Sequence, residues 1–196
     1  MDISIRRIDK GDVSNVVRLA DNIAIAQMTA NLPYPYTSEH AKIWLDYVQG
    51  NKNEHVFAVL GDDEFMGVVG LVHEPEHERA ELGYWLGQDY WNKKVMTTAA
   101  GMAVAYAFTM LGVQKIYSRC FAPNKASQRV LEKNGFVLEG CQRAHQIRMG
   151  IVQDVLCYGL LYSEYERINS KNSDLHISTE KPPGAHMKGR SLNENV

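Results

Sequence analysis

The chain has 196 residues, of which 45% are hydrophobic and 22% charged, with a formal net charge of −2. That length suits one domain, or one domain with a tail, and is enough to bury a sizeable core. The near-neutral charge argues against a nucleic-acid partner, and no apolar run reaches membrane-spanning length, which argues against a membrane partner.

Charges within the opening MDISIRRIDK do not suit a secretory leader, so a cytoplasmic location is the default expectation. Cys120, Cys141 and Cys157 are odd in number and widely spaced, which suits neither a disulfide framework nor a metal site; core packing is expected for them. His55, His73 and His77 have no zinc-type spacing, and no metal is expected.

In chain order, Ile3, Ile5 and Ile8 predict a half-buried first strand. Asp12 then caps a helix carrying Val13, Val16, Val17, Ala20, Ile23 and Ala24. The prolines of the Asn31-Leu-Pro-Tyr-Pro-Tyr36 segment make it a loop, and Thr37 and Ser38 open a second helix over 38 to 49. Stretches 55 to 60, 65 to 73 and 79 to 86 are rich in β-formers and separated by turn residues, which predicts an antiparallel meander. Residues 95 to 111 are too few to cross a bilayer and too apolar for a surface helix, so a buried helix is expected, stopped by Gly112. A strand over 115 to 121, a helix over 124 to 134 stopped by Gly135, and two strands within 136 to 161 around Met149-Gly150 complete the order βααβββαβαββ. From residue 167 the composition turns polar, so the expected organisation is a domain over 1 to 166 and a flexible tail over 167 to 196.

The stretch from Glu81 to Ala99 reads as a strand, a short loop and a helix start. Such a junction aims successive backbone N–H groups and the positive end of a helix at one place, a site for a pyrophosphate-like anion. This stretch resembles the acetyl-CoA signature of the GNAT superfamily, in particular its ribosomal-protein N-terminal and spermidine acetyltransferase branch. Three further segments match that branch: the loop at 31 to 37, the run from Asn124 to Gly140, and Val152 to Leu161.

The resemblance implies an α/β GNAT fold: a mixed, mostly antiparallel sheet of six or seven strands, splayed between strands 79 to 86 and 115 to 121, with about four flanking helices. It implies an N-acetyltransferase that moves an acetyl group from acetyl-CoA to a primary amine, a small molecule or a protein N-terminus, by direct attack. It allows a homodimer. The residues it assigns to the cofactor are Tyr84, Trp85, Leu86, Asn92, Lys93, Lys94, Val95, Met96, Thr97, Asn124 and Ser127. Glu81 takes the position of the catalytic base and Ser127 that of a hydroxyl acting on the departing thiolate, because Leu131 stands where other branches place an acidic tyrosine. Tyr34 and Tyr36 fall in the loop bordering the acceptor.

Each assignment has a plainer reading: Asn124 and Ser127 as ordinary helix-start residues, Glu81 as a surface carboxylate paired with Arg79. In the ribosomal-protein branch a glutamate is expected near Gln146, which cannot act as a base, so His145 is a second candidate. The chain departs from the family where two glycines are usual and it carries Asn92 and Lys94. Glycine there allows positive φ and close approach to phosphate. Lys94 either adds a cation beside the phosphates or obstructs the loop. The competing function is a non-catalytic acyl-CoA-binding or regulatory module with a degenerate pyrophosphate loop.

Overall fold

The computed structural model describes residues 1–177. Seven strands form one sheet in the order β1-β2-β3-β4-β5-β7-β6. They are β1 (Ile3–Arg7), β2 (Glu54–Gly61), β3 (Glu64–Glu74), β4 (Arg79–Leu86), β5 (Lys115–Phe121), β6 (Val137–Arg148) and β7 (Ile151–Leu161). Every neighbouring pair is antiparallel except β4 and β5. Among the described residues six α-helices accompany the sheet: α1 (Val13–Ala20), α2 (Ile23–Met28), α3 (Ser38–Gly50), α4 (Val95–Tyr106), α5 (Lys125–Lys133) and α6 (Tyr162–Ile177).

The predicted strands all form. Two faces of the sheet are told apart by β2: His55 and Phe57 meet Tyr106 of α4, with ring centroids 5.7 and 5.1 Å away, whereas Glu54 and Val56 point the other way, towards α3. The buried helix expected at 95 to 111 is α4 plus a π-turn over Ala107–Leu111, ended by Gly112 at φ +67°. Ala99, Ala100, Ala103 and Ala107 are fully buried, so small side chains let this helix lie close to the sheet.

Six helices replace the expected four for two reasons. The single helix read from Asp12 onward breaks at Asp21 and Asn22. Asn22 is extended (φ −141°, ψ 121°) and caps α2 by accepting from the Ala24 N–H at 2.9 Å, while the Asp21 carboxylate accepts from the Tyr36 N–H at 2.9 Å. In addition, α6 runs across the boundary expected at residue 166. Its start is fixed to the π-turn after α4 by Phe108, whose ring lies 5.6 Å from Tyr162 and 4.8 Å from Tyr165. The expected tail therefore continues α6 to residue 177, and residues 178 to 196 lie outside the described residues. Among the cysteines only Cys120 is buried; Cys141 is exposed on β6, whose side chains mostly face solvent.

The splay is present. β4 and β5 pair only at Arg79–Lys115, Ala80–Ile116 and Glu81–Tyr117, and then part. Just beyond the last pair the Ser118 hydroxyl donates to the Leu82 carbonyl at 2.8 Å, and Ser118 is 3% exposed. This bond satisfies a carbonyl that a continuing ladder would otherwise occupy. Ser118→Ala leaves that carbonyl bare, at a cost of roughly 1–3 kcal/mol, which lowers Tm by about 3–10 °C for a chain of this size. Calorimetry checks it, and an unchanged Tm would show that the split needs no such clasp.

Candidate functional site

A cavity of about 1450 Å³ passes through the split, from the start of α4 on one side to α3 and the α2–α3 loop on the other. Its floor is the parted ends of β4 and β5. The missing strand pairing leaves backbone donors and acceptors along β4 free to bind an extended ligand.

At one end, the loop between β4 and α4 folds back on itself because the Trp91 indole N–H donates to the Leu86 carbonyl at 2.8 Å. Asn92 and Lys94 both adopt the left-handed conformation, at φ 61° and 62°. These are the two positions where glycine was expected, so the backbone keeps the glycine-type turn without the glycines. Lys94 is the N-cap of α4 and its carbonyl accepts from the Thr98 N–H at 3.1 Å; the preceding N–H groups, of Val95, Met96 and Thr97, have no partner within the helix. They give the cavity a positive helix end. Lys94 is exposed and lines the cavity. Lys93 does not line it; its ammonium lies 6.0 Å over the Tyr90 ring.

Three further cations line this end: Lys125, Arg129 and Lys133 of α5. Their i, i+4, i+8 spacing puts them on one helix face, a signal present in the sequence that the motif reading passed over.

In the middle of the cavity Asn124 caps α5, its side-chain oxygen accepting from the Ser127 N–H at 3.1 Å, while its amide donates to the Met28 carbonyl at 3.4 Å. It therefore serves the helix and lines the cavity as well. The hydroxyls of Ser127 and Tyr84 share a 2.9 Å hydrogen bond, and the Tyr84 hydroxyl also lies 3.2 Å from the Ser127 carbonyl. Burial pushes the Tyr84 phenol well above its ordinary value, and burial lifts the adjacent Cys120 thiol to about 11. Both stay protonated at neutral pH. Leu131 is fully buried in the core and takes no part.

The other end is bounded by the α2–α3 loop. Arg148 of β6 ties this loop to α2, its Nε donating to the Ala26 carbonyl of the helix at 2.7 Å and its Nη2 to the Leu32 carbonyl of the loop. Tyr36 is 5% exposed and lines the cavity, but Tyr34 is 49% exposed and does not. Trp44 and Tyr47 of α3 form an aromatic wall, and His145 and Gln146 lie at the margin.

Two carboxylates reach this end. Glu81 is held by Arg119, not by Arg79: Arg119 Nε donates to one oxygen at 3.0 Å and Nη2 to the other at 3.2 Å, and the Tyr117 hydroxyl lies 3.4 Å away. Arg79 instead pairs with Glu74 at 3.1 and 2.8 Å. Glu54 of β2, which the motif reading did not single out, lines the same cavity. Burial first, with the charge of Glu81 adding to it, raises the Glu54 carboxyl above the ordinary carboxylate range, against a hydrogen bond from Tyr47. Among the described residues no cluster of three or more metal-ligating side chains occurs, and no helix is long and apolar enough to cross a membrane.

Residues 2–137 match the family model described as an acetyltransferase (GNAT) domain. An uncharacterized N-acetyltransferase, p20, of Bacillus licheniformis is 31% identical over 60% of this chain and 67% of its own. A ribosomal-protein-serine acetyltransferase of Escherichia coli is 29% identical over 57% of this chain and 66% of its own. The alignments thus span about two thirds of these relatives' length. The fold matches the crystal structure of spermidine N-acetyltransferase from Vibrio cholerae in complex with CoA and spermine, with a TM-score of 0.76 at 24% identity over 84% of this chain and 98% of that one.

Proposed function

Given that the chain belongs to the GNAT acetyltransferase family, we propose that it transfers an acetyl group from acetyl-CoA to a primary amine. The observation that carries this reading is the polarity of one continuous cavity. At one end the α4 N-terminus, Lys94 and the basic face of α5 suit the phosphates of CoA, and at the other the Glu54 carboxylate suits a cationic amine. Between them the unpaired edge of β4 would hold the pantetheine arm by backbone hydrogen bonds and present N–H groups to the thioester oxygen. The amine attacks the carbonyl directly and the thiolate leaves beside Ser127, so no covalent enzyme intermediate is needed.

Two of the relatives support a choice of acceptors: one is named for a ribosomal protein and one was crystallised with spermine. The acceptor here is accordingly a small-molecule amine or a protein N-terminus. A homodimer would cover Val137, Leu138, Ile147, Ile151 and Val152 of β6 and β7, each more than half exposed. The non-catalytic alternative loses its main support, because Asn92 and Lys94 keep the positive φ that glycine would have supplied.

Isothermal titration of acetyl-CoA into the whole chain, followed by thiol release on adding amines, tests the proposal. Micromolar binding with amine-dependent release is the expected result. Failure to bind at millimolar acetyl-CoA would overturn the reading, and tight binding without release to any amine would favour the binding module.

A further inference from the structure

Glu81 is the carboxylate that the family resemblance points to, yet its environment suits a different task. Both of its oxygens are taken by the Arg119 guanidinium, and Tyr117 adds a third donor. A carboxylate in a two-point grip is held in place and offers little to an incoming ammonium.

Glu54 stands on the same face of the sheet. It pairs with Val72 across β2 and β3, and Val72 pairs with Glu81 across β3 and β4, so the three form one cross-strand row. With strands about 4.8 Å apart, the two glutamate Cα atoms lie about 10 Å from each other, and both side chains enter the cavity. No ion pair holds Glu54 among the described residues. The groups that face it are the Tyr47 hydroxyl from α3 and the Glu81 charge from β4, itself covered by Arg119 of β5. Arg7 of β1 reaches the Glu54 backbone carbonyl, at 3.3 Å, and turns its other nitrogen to His55 and the Tyr106 hydroxyl on the opposite face.

We propose that Glu54, rather than Glu81, is the catalytic base that takes the proton from the acceptor ammonium as it enters past Trp44 and Tyr47. The inference rests on the acetyl-transfer reading above. An ammonium meeting the Glu54 carboxylate becomes a free amine and a carboxylic acid. The amine then attacks the thioester carbon, a C–N bond forms and the C–S bond breaks. The second nitrogen proton passes to the thiolate by way of the Ser127 hydroxyl, and Glu54 returns its proton to solvent. Burial already favours the protonated form of Glu54, which supports its accepting a proton.

The test measures thiol release from acetyl-CoA across pH for the full chain, with spermidine and an N-terminal-serine peptide as acceptor probes. Wild type is compared with Glu54→Gln, Glu54→Asp and Glu81→Gln, and melting temperatures are taken alongside. Glu54→Gln should lower kcat/KM by about a hundredfold and remove the carboxylate limb of the pH profile, with partial recovery in Glu54→Asp. Glu81→Gln should retain that limb and lose less than about tenfold, the loss following the lower melting temperature left by an unpaired Arg119.

The stability signs differ too. Because the Glu54 carboxyl is raised in the fold, ionising it costs stability, lost as pH rises from the ordinary carboxylate value through the raised one. At neutral pH Glu54→Gln should therefore melt no lower than wild type, whereas Glu81→Gln should melt lower because Arg119 is left unpaired. Glu54→Gln that keeps its rate and its limb, or a limb that vanishes in Glu81→Gln instead, overturns the assignment. So does an activity loss in Glu54→Gln that merely tracks a lower melting temperature. If wild type binds acetyl-CoA but neither probe releases thiol, the acetyl-transfer reading itself falls, and this assignment with it.

Discussion

Ser127→Ala is expected to slow acetyl transfer by about a hundredfold while acetyl-CoA binds within about threefold of wild type, since general acids commonly contribute roughly 10²–10⁴ in rate. The lower end applies because a thiolate is already a good leaving group, thiols being far more acidic than alcohols or amines. The Asn124 cap fixes the first turn of α5, and with it the Ser127 hydroxyl against the split. Tyr84 stands behind that hydroxyl at 2.9 Å, and because burial keeps its phenol protonated it can hold the Ser127 hydroxyl in line while the nitrogen proton passes through it. Tyr84→Phe should then cost less, about tenfold, since the Asn124 cap still holds Ser127 in the first turn of α5. Single-turnover kinetics separate the two steps: a slower chemical step with unchanged binding supports the donor role, and an unchanged step means the thiolate departs unassisted. Leu131 supplies no substitute hydroxyl, being fully buried in the core.

Much of the frame was legible because strands and stops announce themselves locally. The β-branched runs, Gly112 and Gly135 needed only near neighbours to be read. The break at Asp21 and Asn22 was hidden because Ile23 and Ala24 continue the apolar spacing; what divides the helix is a contact from Asp21 to Tyr36. The site shows the same division. Asn92 and Lys94 stood out as the critical turn because they replace two glycines of the family pattern, and both have positive φ. The partner of Glu81 was not legible, since Arg119 lies 38 residues away and meets it only after β4 and β5 pair. Glu54 lies just before the stretch read as a strand from 55 to 60 and carries no motif of its own. Only the registry of β2, β3 and β4 carries it into the row with Glu81.

Lys94 is expected to act in opposite directions on stability and on cofactor affinity. Its left-handed backbone, φ 62° and ψ 3°, costs a non-glycine residue roughly 1–2 kcal/mol. Lys94→Gly removes that strain but gives the unfolded chain more freedom, so the net gain is about 1 kcal/mol or less, a rise in Tm of about 2–4 °C. The same substitution deletes an exposed cation beside the α4 N-terminus. Exposure weakens such a contact, so acetyl-CoA affinity should fall by about five- to tenfold rather than the larger factor a buried charge pair would give. Lys94→Glu keeps the backbone strain and places an anion against the helix end and the phosphates, for a loss of about a hundredfold. Titrations at low and high salt complete the argument: wild-type binding should weaken more steeply with salt than that of Lys94→Gly, because one screened charge contact has been removed. If Lys94→Gly instead bound acetyl-CoA more tightly, the side chain would be an obstruction, and the α5 residues Lys125, Arg129 and Lys133 would have to supply the cationic side of the phosphate site without it.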